Sequence, residues 1–481
     1  MTDRNDIDPV TPSGTDQSPP RTGRETLPKA PEAEVDAFRR AHPDVTQIDV
    51  LIPDASGVLR GKKVPVESLK KIYREGAMFP GSLFATDITG STVEETGLGF
   101  KDGDSDRPCF PVPQTLDPIP WLKRPTGQIM LSMRNPDGTP FFADPRAVLA
   151  GVVQRLNDDG YFPVVAIELE FYLIDRAPTA DGLPQPPLSP VSGRRQGETQ
   201  VYGIEELYDF DAMLSDVYDA CQAQNIPVDS SVSEYAPGQY EINLHHVANA
   251  MDACDDAILF KRAVKSVAMQ HGIDATFMSK PYADQSGSGF HIHLSMLDRD
   301  GRNIFAAEDV HGTPELRHAI GGLGETMADG MAFFAQNQNA FRRFQTNSYA
   351  PHAPTWAHNN RSASLRIPPS PAESRRVEHR VAGADANPYL VMAAVLAGAH
   401  YGLTHTIDPG KPVTGNAYES VDQTLTSSWI QALERLEKCD IFRDYLGTQF
   451  VEVYLALKRA EREKFFSMIT ALEYEWYLHR V

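Results

Sequence analysis

Four short segments of the chain each place carboxylate, imidazole or guanidinium groups on one face of a predicted strand, where side chains two residues apart point to the same side. The clearest is AIELEFYL, in which Glu168 and Glu170 alternate with the apolar residues Ile167, Leu169 and Phe171. Alternation by itself is also typical of an ordinary half-buried strand with solvated glutamates on its outer side. Four segments that each offer metal ligands or phosphate-binding groups favour one shared site.

The other three segments add acids, histidines and arginines. They are SEYAPGQYEINL with Glu234 and Glu241, GSGFHIHLS with His291 and His293, and RRVEHRVAG with Glu378 and Arg380. Carboxylate oxygens with few imidazoles suit Mg²⁺ or Mn²⁺. A lone histidine is more often a satisfied core residue, but the GSG loop directly before HIH favours metal binding by His291. The segments therefore indicate chemistry assisted by divalent metal ions.

Length and composition limit the classes of protein to which the chain can belong. Its 481 residues are enough for two or three domains, and a net charge of −20 argues against a nucleic-acid surface and suits a cationic substrate. The four cysteines form no CxxC pair, which indicates a reducing compartment. No apolar run could span a membrane, and the N-terminus does not read as a secretory signal. We therefore expect a cytoplasmic enzyme.

Several elements are predicted around the four segments. Residues 1–30 are rich in Pro, Thr, Ser and charge and should form a disordered tail. A strand is expected in TQIDVLIPD, and Asn387 with Pro388 should cap and begin a helix. The other predicted helices are Ala33–Ala41, Val148–Asn157, Asp211–Gln224, Ala253–His271 and one long amphipathic helix over Leu457–Leu478.

In chain order, the motifs ExE, E…GQxE, GSGxHxH, NRSASLRIP, RRVEHR and ANPYL resemble the active-site segments of the glutamine synthetase family. The match runs from about Asp49 to the C-terminus. Segments such as PDASGVLRGKKVP and MFPGSLFATDITGSTVEETGLG resemble the gamma-glutamylputrescine synthetases within it, which are glutamate–putrescine ligases. The resemblance implies an α+β fold. A small beta-grasp-like domain would cover residues 31–140. A catalytic domain with a curved antiparallel sheet flanked by helices would cover residues 141–481.

The resemblance also implies roles for individual residues. Two or more Mg²⁺ or Mn²⁺ ions would bind per site, one to Glu170, Glu234 and Glu241 and another to Glu168, His291 and Glu378. ATP would lie against His293, Ser295, Arg361, Arg366 and Arg376. Glutamate would contact Glu170, Gly287, His291, Arg343 and Arg380. The catalytic arginines would be Arg343, Arg361 and Arg380.

The implied reaction is ATP-dependent ligation of glutamate to an amine through a gamma-glutamyl phosphate. The chain offers no alternative ATP motif, because GVLRGKK at Gly57 lacks the spacing and the Ser/Thr of a phosphate-binding loop. Metal ions and arginines must therefore handle the phosphates. The resemblance further implies a homo-oligomeric ring, a dodecamer in this family, with glutamate, ATP and an amine as its partners.

Two acids that handle ammonium in ordinary glutamine synthetases are replaced here, by Pro80 and Tyr349. A glutamate-binding asparagine is replaced by Ser286. We therefore expect a larger amine, putrescine or a related polyamine, in a pocket lined by Pro80 and Tyr349. The distal ammonium could be anchored by an acidic loop that contains Asp87, Glu94 and Glu95, although a solvated loop fits those residues equally well. The alternatives are an ammonia-dependent glutamine synthetase, a ligase for a monoamine or ethanolamine, and a non-catalytic family member.

Overall fold

A computed structural model describes residues 28–481 of the chain. The predicted disordered tail, residues 1–30, lies outside the described residues except for residues 28–30. Two mixed layers of sheet and helix follow, each with its own apolar core. The predicted α+β class is confirmed.

The first sheet contains six strands that all end before residue 134. They are β1 to β6 in chain order, Gln47–Pro53, Leu59–Pro65, Ala77–Pro80, Asp106–Pro111, Asp117–Pro118 and Thr126–Met133. Their order is β2-β1-β6-β4-β3, with β5 also on β6, and only β1 and β6 run parallel. Lys62 Nζ on β2 donates to the Met78 carbonyl of β3 at 3.0 Å, so the two edges of the sheet approach each other.

The second sheet carries the four chemical segments. Its strands β7 to β14 are Phe162–Ile174, Val228–Ser233, Gln239–Leu244, Asp274–Thr276, Phe290–Leu297, Trp356–His358, Leu365–Ile367 and Val377–His379. Their order is β12-β13-β14-β11-β7-β9-β8, with β10 also on β7. All neighbouring pairs are antiparallel except β12 with β13. The predicted antiparallel sheet is therefore present, and one parallel pair lies at its edge.

Fourteen α-helices lie within residues 28–481. In chain order α1 to α14 are Ala33–Ala41, Leu69–Glu75, Pro145–Asp158, Ile204–Asp209, Asp211–Ala223, Ala250–Gln270, Pro314–Met327, Met331–Phe334, Pro388–His405, Ala417–Ser420, Trp429–Lys438, Asp440–Leu446, Thr448–Phe466 and Ala471–Tyr477. Short 3₁₀ turns cover Val66–Ser68, Gly81–Ala85, Glu94–Thr96, Phe100–Asp102, Ala340–Arg343 and Ala372–Ser374. None of the helices in this range has the length and apolar character needed to cross a bilayer.

The central helix α9 begins as its sequence predicts. The Asn387 side chain accepts a hydrogen bond from the Tyr389 amide at 3.0 Å, and Pro388 is the first helical residue. Helix α7 packs on α9 at backbone distance, because a Cβ on Gly322 would lie 2.2 Å from the Gly398 carbonyl oxygen. The predicted helices Ala33–Ala41, Val148–Asn157, Asp211–Gln224 and Ala253–His271 correspond to α1, α3, α5 and α6.

The prediction of one long C-terminal helix is wrong. Helix α13 ends at Phe466, and α14 begins at Ala471 after a capping box formed by Thr470 and Glu473. The hydroxyl of Thr470 accepts from the Glu473 amide, and the Glu473 carboxylate accepts from the Thr470 amide. These two bonds satisfy backbone donors that a continuous helix would have used internally.

Helix α13 also ties the end of the chain to its beginning. Lys458 Nζ donates to Ser56 Oγ at 2.9 Å, and the Ile88 amide donates to Glu461 Oε1 at 2.8 Å. Lys464 Nζ donates to Asp87 Oδ2 at 3.0 Å. The division into domains at residues 140 and 141 stays a prediction.

Candidate active site

Strand pairing brings the predicted ligands onto one face of the second sheet. The apolar residues between them, such as Ile167 and Leu169, point the other way and are buried. The central strand β7 pairs with β11 on one side and β9 on the other, and β11 pairs with β14. The directly opposed residues are Glu168 with His291, Glu170 with Glu241, and His293 with Glu378. Antiparallel partners of this kind stand about 5 Å apart, within reach of a shared ion.

Two groups of three side chains converge closely enough to hold a metal ion. One contains Glu168, Glu241 and His291, the other Glu168, His293 and Glu378, with all ligand atoms of a group within 4.8 Å of one another. Glu168 joins the groups, since its Oε2 lies 3.1 Å from His291 Nδ1 and its Oε1 lies 2.7 Å from His293 Nε2. Carboxylates with one imidazole per group fit a hard divalent cation.

The predicted set of Glu168, His291 and Glu378 also lies close together, since His291 Nδ1 is 3.1 Å from Glu168 Oε2 and 3.9 Å from Glu378 Oε1. His293 approaches Glu168 and Glu378 as well and adds a second imidazole beside them. The division of the ligands between two ions stays a prediction. His293 was predicted to border the nucleotide only. Ser295 follows two residues later in β11, on the same face as both histidines.

Glu170 is held by groups that sequence reasoning did not assign. Its Oε2 accepts hydrogen bonds from Gln239 Nε2 at 3.0 Å and from the Gly289 amide at 2.9 Å. Gln239 also donates to the Gly287 carbonyl at 3.1 Å and is buried. The available signal was its position two residues before Glu241, which places both side chains on one face of β9.

Burial and like charge set the protonation of the acids. Burial, and then the charge of Glu170, raises the pKa of Glu234, on the loop after β8, to about 8. Burial together with Glu168 and Glu170 raises the pKa of Glu241 well above its usual range. A divalent cation would supply the positive charge that this side of the site lacks.

The opposite side of the site is rich in positive charge. Burial would raise the pKa of Glu378, but the charges of Arg380, His293 and His291 together outweigh it and hold that pKa at about 2. Arg380 donates to Glu378 Oε1, and Arg366 Nη1 donates to Glu378 Oε2 at 2.7 Å. Burial would likewise raise the pKa of Glu168, but hydrogen bonds from His291 and His293 hold it well below its usual range.

Three more predicted arginines surround these groups. Arg376 Nε donates to His293 Nδ1 at 3.2 Å. Arg343 is buried and donates through Nη1 to the Val381 carbonyl at 3.0 Å. Arg361 is exposed on the loop before β13, and its charge opposes part of the rise in the pKa of Glu234. Within residues 28–481 the Nε atoms of Arg343 and Arg380 are buried without a hydrogen-bond partner, a state that an anionic ligand would relieve.

Gly287 and Gly289 lie directly against side chains of the site. A Cβ on Gly287 would lie 2.6 Å from Arg343 Cγ. A Cβ on Gly289 would lie 2.7 Å from His291 Nε2 and 3.0 Å from Glu170 Oε1. No side chain larger than glycine fits at either position without displacing these groups, so the backbone can approach a ligand closely here.

The predicted amine-pocket residues lie in different parts of the fold. Pro80 ends β3, an edge strand of the first sheet. Tyr349 lies on a loop beside the second sheet, 56% exposed. Asp87 is only 3% exposed, and its carboxylate accepts from Thr89, Ser91 and Lys464, so it serves as a structural ion-pair partner. The neighbouring Glu94 accepts from the Phe100 amide, and Glu95 stands beside it in the same 3₁₀ turn.

The amino-acid sequence is similar to those of known proteins over most of its length. The family described as "Glutamine synthetase, catalytic domain" matches residues 142–477. Gamma-glutamylputrescine synthetase PuuA of Escherichia coli (strain K12) is 44% identical over 92% of this chain and 94% of its own length. Glutamate–isopropylamine ligase of a Pseudomonas species is 31% identical over 88% of this chain and 93% of its own length.

The fold has close counterparts among solved structures. A structure described as apo GmaS without ligand superposes with a TM-score of 0.80 at 27% identity. The superposition covers 92% of this chain and 99% of that one. Similarity in fold therefore extends across nearly the whole chain, including the first sheet.

Proposed function

The chain belongs to the glutamine synthetase family and is an ATP-dependent glutamate–amine ligase, and we propose that its amine acceptor is putrescine or a related polyamine. Enzymes of the family use ATP and divalent metal ions. The observation that carries the chemistry is the pair of carboxylate–imidazole groups joined by Glu168, flanked by the guanidinium groups of Arg366 and Arg380. Such a site can hold phosphate oxygens and a carboxylate together.

The donor set fits Mg²⁺ or Mn²⁺, and we assign the ligands accordingly. The proposed metal ligands are Glu168, Glu170, Glu234, Glu241, His291, His293 and Glu378. Divalent cations bound there would neutralise charge on the ATP phosphates. Gln239 and the Gly289 amide hold Glu170 in place, so its carboxylate is already oriented.

The arginines then divide between substrates. Arg343, buried beside Gly287, would grip a carboxylate of glutamate, and Arg380 would lie between glutamate and the transferred phosphoryl group. Arg361, Arg366 and Arg376 would face ATP phosphates, since forked guanidinium groups match phosphate oxygens. Ser295 would border the nucleotide at the end of β11.

Two bond-forming steps follow from this arrangement. The glutamate gamma-carboxylate oxygen attacks the gamma-phosphorus of ATP, and ADP leaves with the electrons of the broken P–O bond. The amine nitrogen then attacks the gamma-carbonyl carbon of gamma-glutamyl phosphate, phosphate leaves, and the nitrogen loses a proton. Only the neutral amine can attack, so the rate should rise toward alkaline pH.

The acceptor is proposed from similarity and from two replaced side chains. Pro80 and Tyr349 are uncharged where the ammonia-using enzymes of the family hold and deprotonate ammonium with acids. The 44% identical relative is named for putrescine, which supports a diamine. The 31% identical relative is named for isopropylamine, which makes a monoamine the second candidate.

Assembly and location are also proposals. Side chains from the last residue of α13 onwards leave a large apolar area uncovered, and no residue of α14 is buried. The exposed members include Phe466, Met468, Ile469, Leu472, Trp476 and Leu478. Cover by another copy of the chain would remove this area from water, which supports a homo-oligomeric ring, a dodecamer by resemblance. Four unpaired, buried cysteines support a reducing, cytoplasmic location.

A panel of amines tests the proposed acceptor. Purified enzyme is given ATP, glutamate, Mg²⁺ and one of putrescine, spermidine, cadaverine, isopropylamine, ethanolamine or ammonium, and phosphate release is followed with mass analysis of the product. We expect gamma-glutamylputrescine to form fastest, with Glu170→Ala as an inactive control. Glutamine formed from ammonium as fast as any diamine product would refute the acceptor and leave the ligase chemistry intact.

A further inference from the structure

The loop that carries Tyr349 adopts an unfavourable backbone conformation. Asn347 has a φ of 61° and Tyr349 a φ of 56°, both in the left-handed region. Asparagine enters this region often, but a bulky residue such as tyrosine does so rarely. Such backbone persists only where surrounding contacts impose it. The contacts that hold this loop in the left-handed conformation therefore control the position of Tyr349.

Those contacts come from one short segment, residues 415–425, which contains α10. The Tyr418 hydroxyl donates to the Ala350 carbonyl at 3.0 Å, directly after Tyr349. Asn416 Nδ2 donates to Asn347 Oδ1 at 3.2 Å, two residues before it. The loop is therefore held on both sides of Tyr349 by two side chains of one helical turn.

Further contacts of Tyr418 fix its own position. Its ring meets the His352 ring edge-on with centroids 4.7 Å apart, and the His352 carbonyl accepts from the amides of Thr424 and Leu425. Ser348 Oγ, one residue before Tyr349, donates to the Arg343 carbonyl at 2.9 Å. The Tyr349 loop therefore lies between Tyr418, which contacts Ala350, and the residue assigned to glutamate.

The same segment is joined to the loop of Arg361. Asn360 Nδ2 donates to the Gly415 carbonyl at 2.8 Å. The Ala417 amide donates to Ser362 Oγ at 3.0 Å. Since Asn360 and Ser362 flank Arg361, α10 lies between the phosphate-side loop and the loop of Tyr349.

We propose that Tyr418 is a positioning residue that sets the place of Tyr349 and thereby the affinity for the amine acceptor. The proposal rests on the proposed function, because it takes Tyr349 to line the amine pocket. Tyr418 acts through its hydrogen bond to the Ala350 carbonyl and need not touch substrate. When its hydroxyl is lost, the left-handed residues relax and Tyr349 leaves its place. Glutamate binding through the Arg343 guanidinium, held separately by the Val381 carbonyl, should change little.

The test is Tyr418→Phe, which keeps the ring against His352 and removes only the hydroxyl. We expect the KM for putrescine to rise about tenfold, the effect of losing one partly buried hydrogen bond, and the KM for glutamate to stay within about twofold. We also expect phosphate release without amine to increase, because a displaced loop admits water to gamma-glutamyl phosphate. Asn416→Ala, which removes the other anchor, should change the same quantities in the same direction.

The matched control is Tyr454→Phe. Its hydroxyl likewise donates to a backbone carbonyl, that of Ala332, at 2.8 Å, but Tyr454 is buried and lies in α13 away from the site. A purely structural role for Tyr418 predicts equal effects of the two substitutions, with lower stability and no split between the two KM values. That outcome, or an unchanged amine KM in Tyr418→Phe, overturns the positioning role. If the natural enzyme prefers ammonium to putrescine, the proposed acceptor is refuted, but the role of Tyr418 can still be tested. The KM for ammonium is then compared with the KM for glutamate in Tyr418→Phe.

Discussion

Replacing Glu241 by glutamine tests the carboxylate–imidazole groups as a cation site, because it removes one charge at nearly constant shape. Glu241 stands opposite Glu170 across β7 and β9 and groups with Glu168 and His291. Without a metal ion these carboxylates repel one another. We therefore expect Glu241→Gln to be inactive and yet, in EDTA, more stable than the natural protein.

The magnitude follows from the spacing. Two unit charges about 5 Å apart in a medium of effective dielectric constant about 20 repel by about 3 kcal/mol. Proton uptake by the raised-pKa acids relieves part of this, so we expect the free energy of unfolding in EDTA to rise by about 1–3 kcal/mol. A cation at one hundred times its Kd stabilises the natural protein by about 2.7 kcal/mol and the variant by less, so the stability ranking should reverse.

The assay is urea unfolding at one fixed protein concentration, in EDTA and in saturating Mg²⁺ or Mn²⁺, together with glutamate-dependent phosphate release. Glu434→Gln, an exposed glutamate of α11, serves as the control and should show no reversal. Two results would show that these carboxylates do not form a cation site. One is a lower free energy of unfolding for Glu241→Gln than for the natural protein in EDTA. The other is a free energy of unfolding of the natural protein that does not change when the metal is added.

Three further predictions concern a catalytic arginine, a buried carboxyl group and a glycine between two helices. Arg361→Ala should lower kcat by about 10²–10³ while the free energy of unfolding, measured in urea, changes by less than about 0.5 kcal/mol, since the side chain is exposed. Burial raises the pKa of Asp117 to about 7, so its carboxyl keeps in the fold a proton that it loses on unfolding. Stability should therefore fall as pH rises from about 4 to about 7, by at most about 4 kcal/mol, and urea titrations of Asp117→Asn should show a flatter profile. Gly322→Ala should cost about 3 kcal/mol where α7 meets α9, whereas Gly324→Ala, with nothing within 4 Å, should be neutral or stabilising in thermal melts.

Local pattern predicted the parts of this molecule that depend on neighbouring residues in sequence. Alternation identified the ligand face of β7, and an Asn-Pro pair marked the start of α9, because both effects act within a few residues. Local pattern does not predict which residues face each other on neighbouring strands of the sheet. His293 faces Glu378 only because β11 lies between β7 and β14, a pairing that joins distant parts of the chain.

Other differences have equally specific causes. The amphipathic pattern continues through residues 467–470, where no glycine or proline marks the helix end, so the break before α14 was not foreseen. The Asp87 carboxylate is taken by Lys464, which is far away in sequence, so its loop could not be interpreted from local charge alone. The roles of Pro80 and Tyr349 stay predictions, because Pro80 ends a strand of the first sheet and Tyr349 lies on a loop beside the second.

The attachment of α13 to the first sheet has a consequence for biosynthesis. Ile88 obtains its hydrogen-bond acceptor from Glu461, 373 residues later. At about 5–20 residues per second, translation needs roughly 20–75 s to cover that distance. The first sheet therefore emerges from the ribosome long before Glu461 and Lys464 exist to complete it. During this interval the surface that α13 later covers stays open, which makes it a natural place for a chaperone to bind the nascent chain. A ribosome-stalled chain that ends before α13 should retain such a chaperone longer than one that includes it.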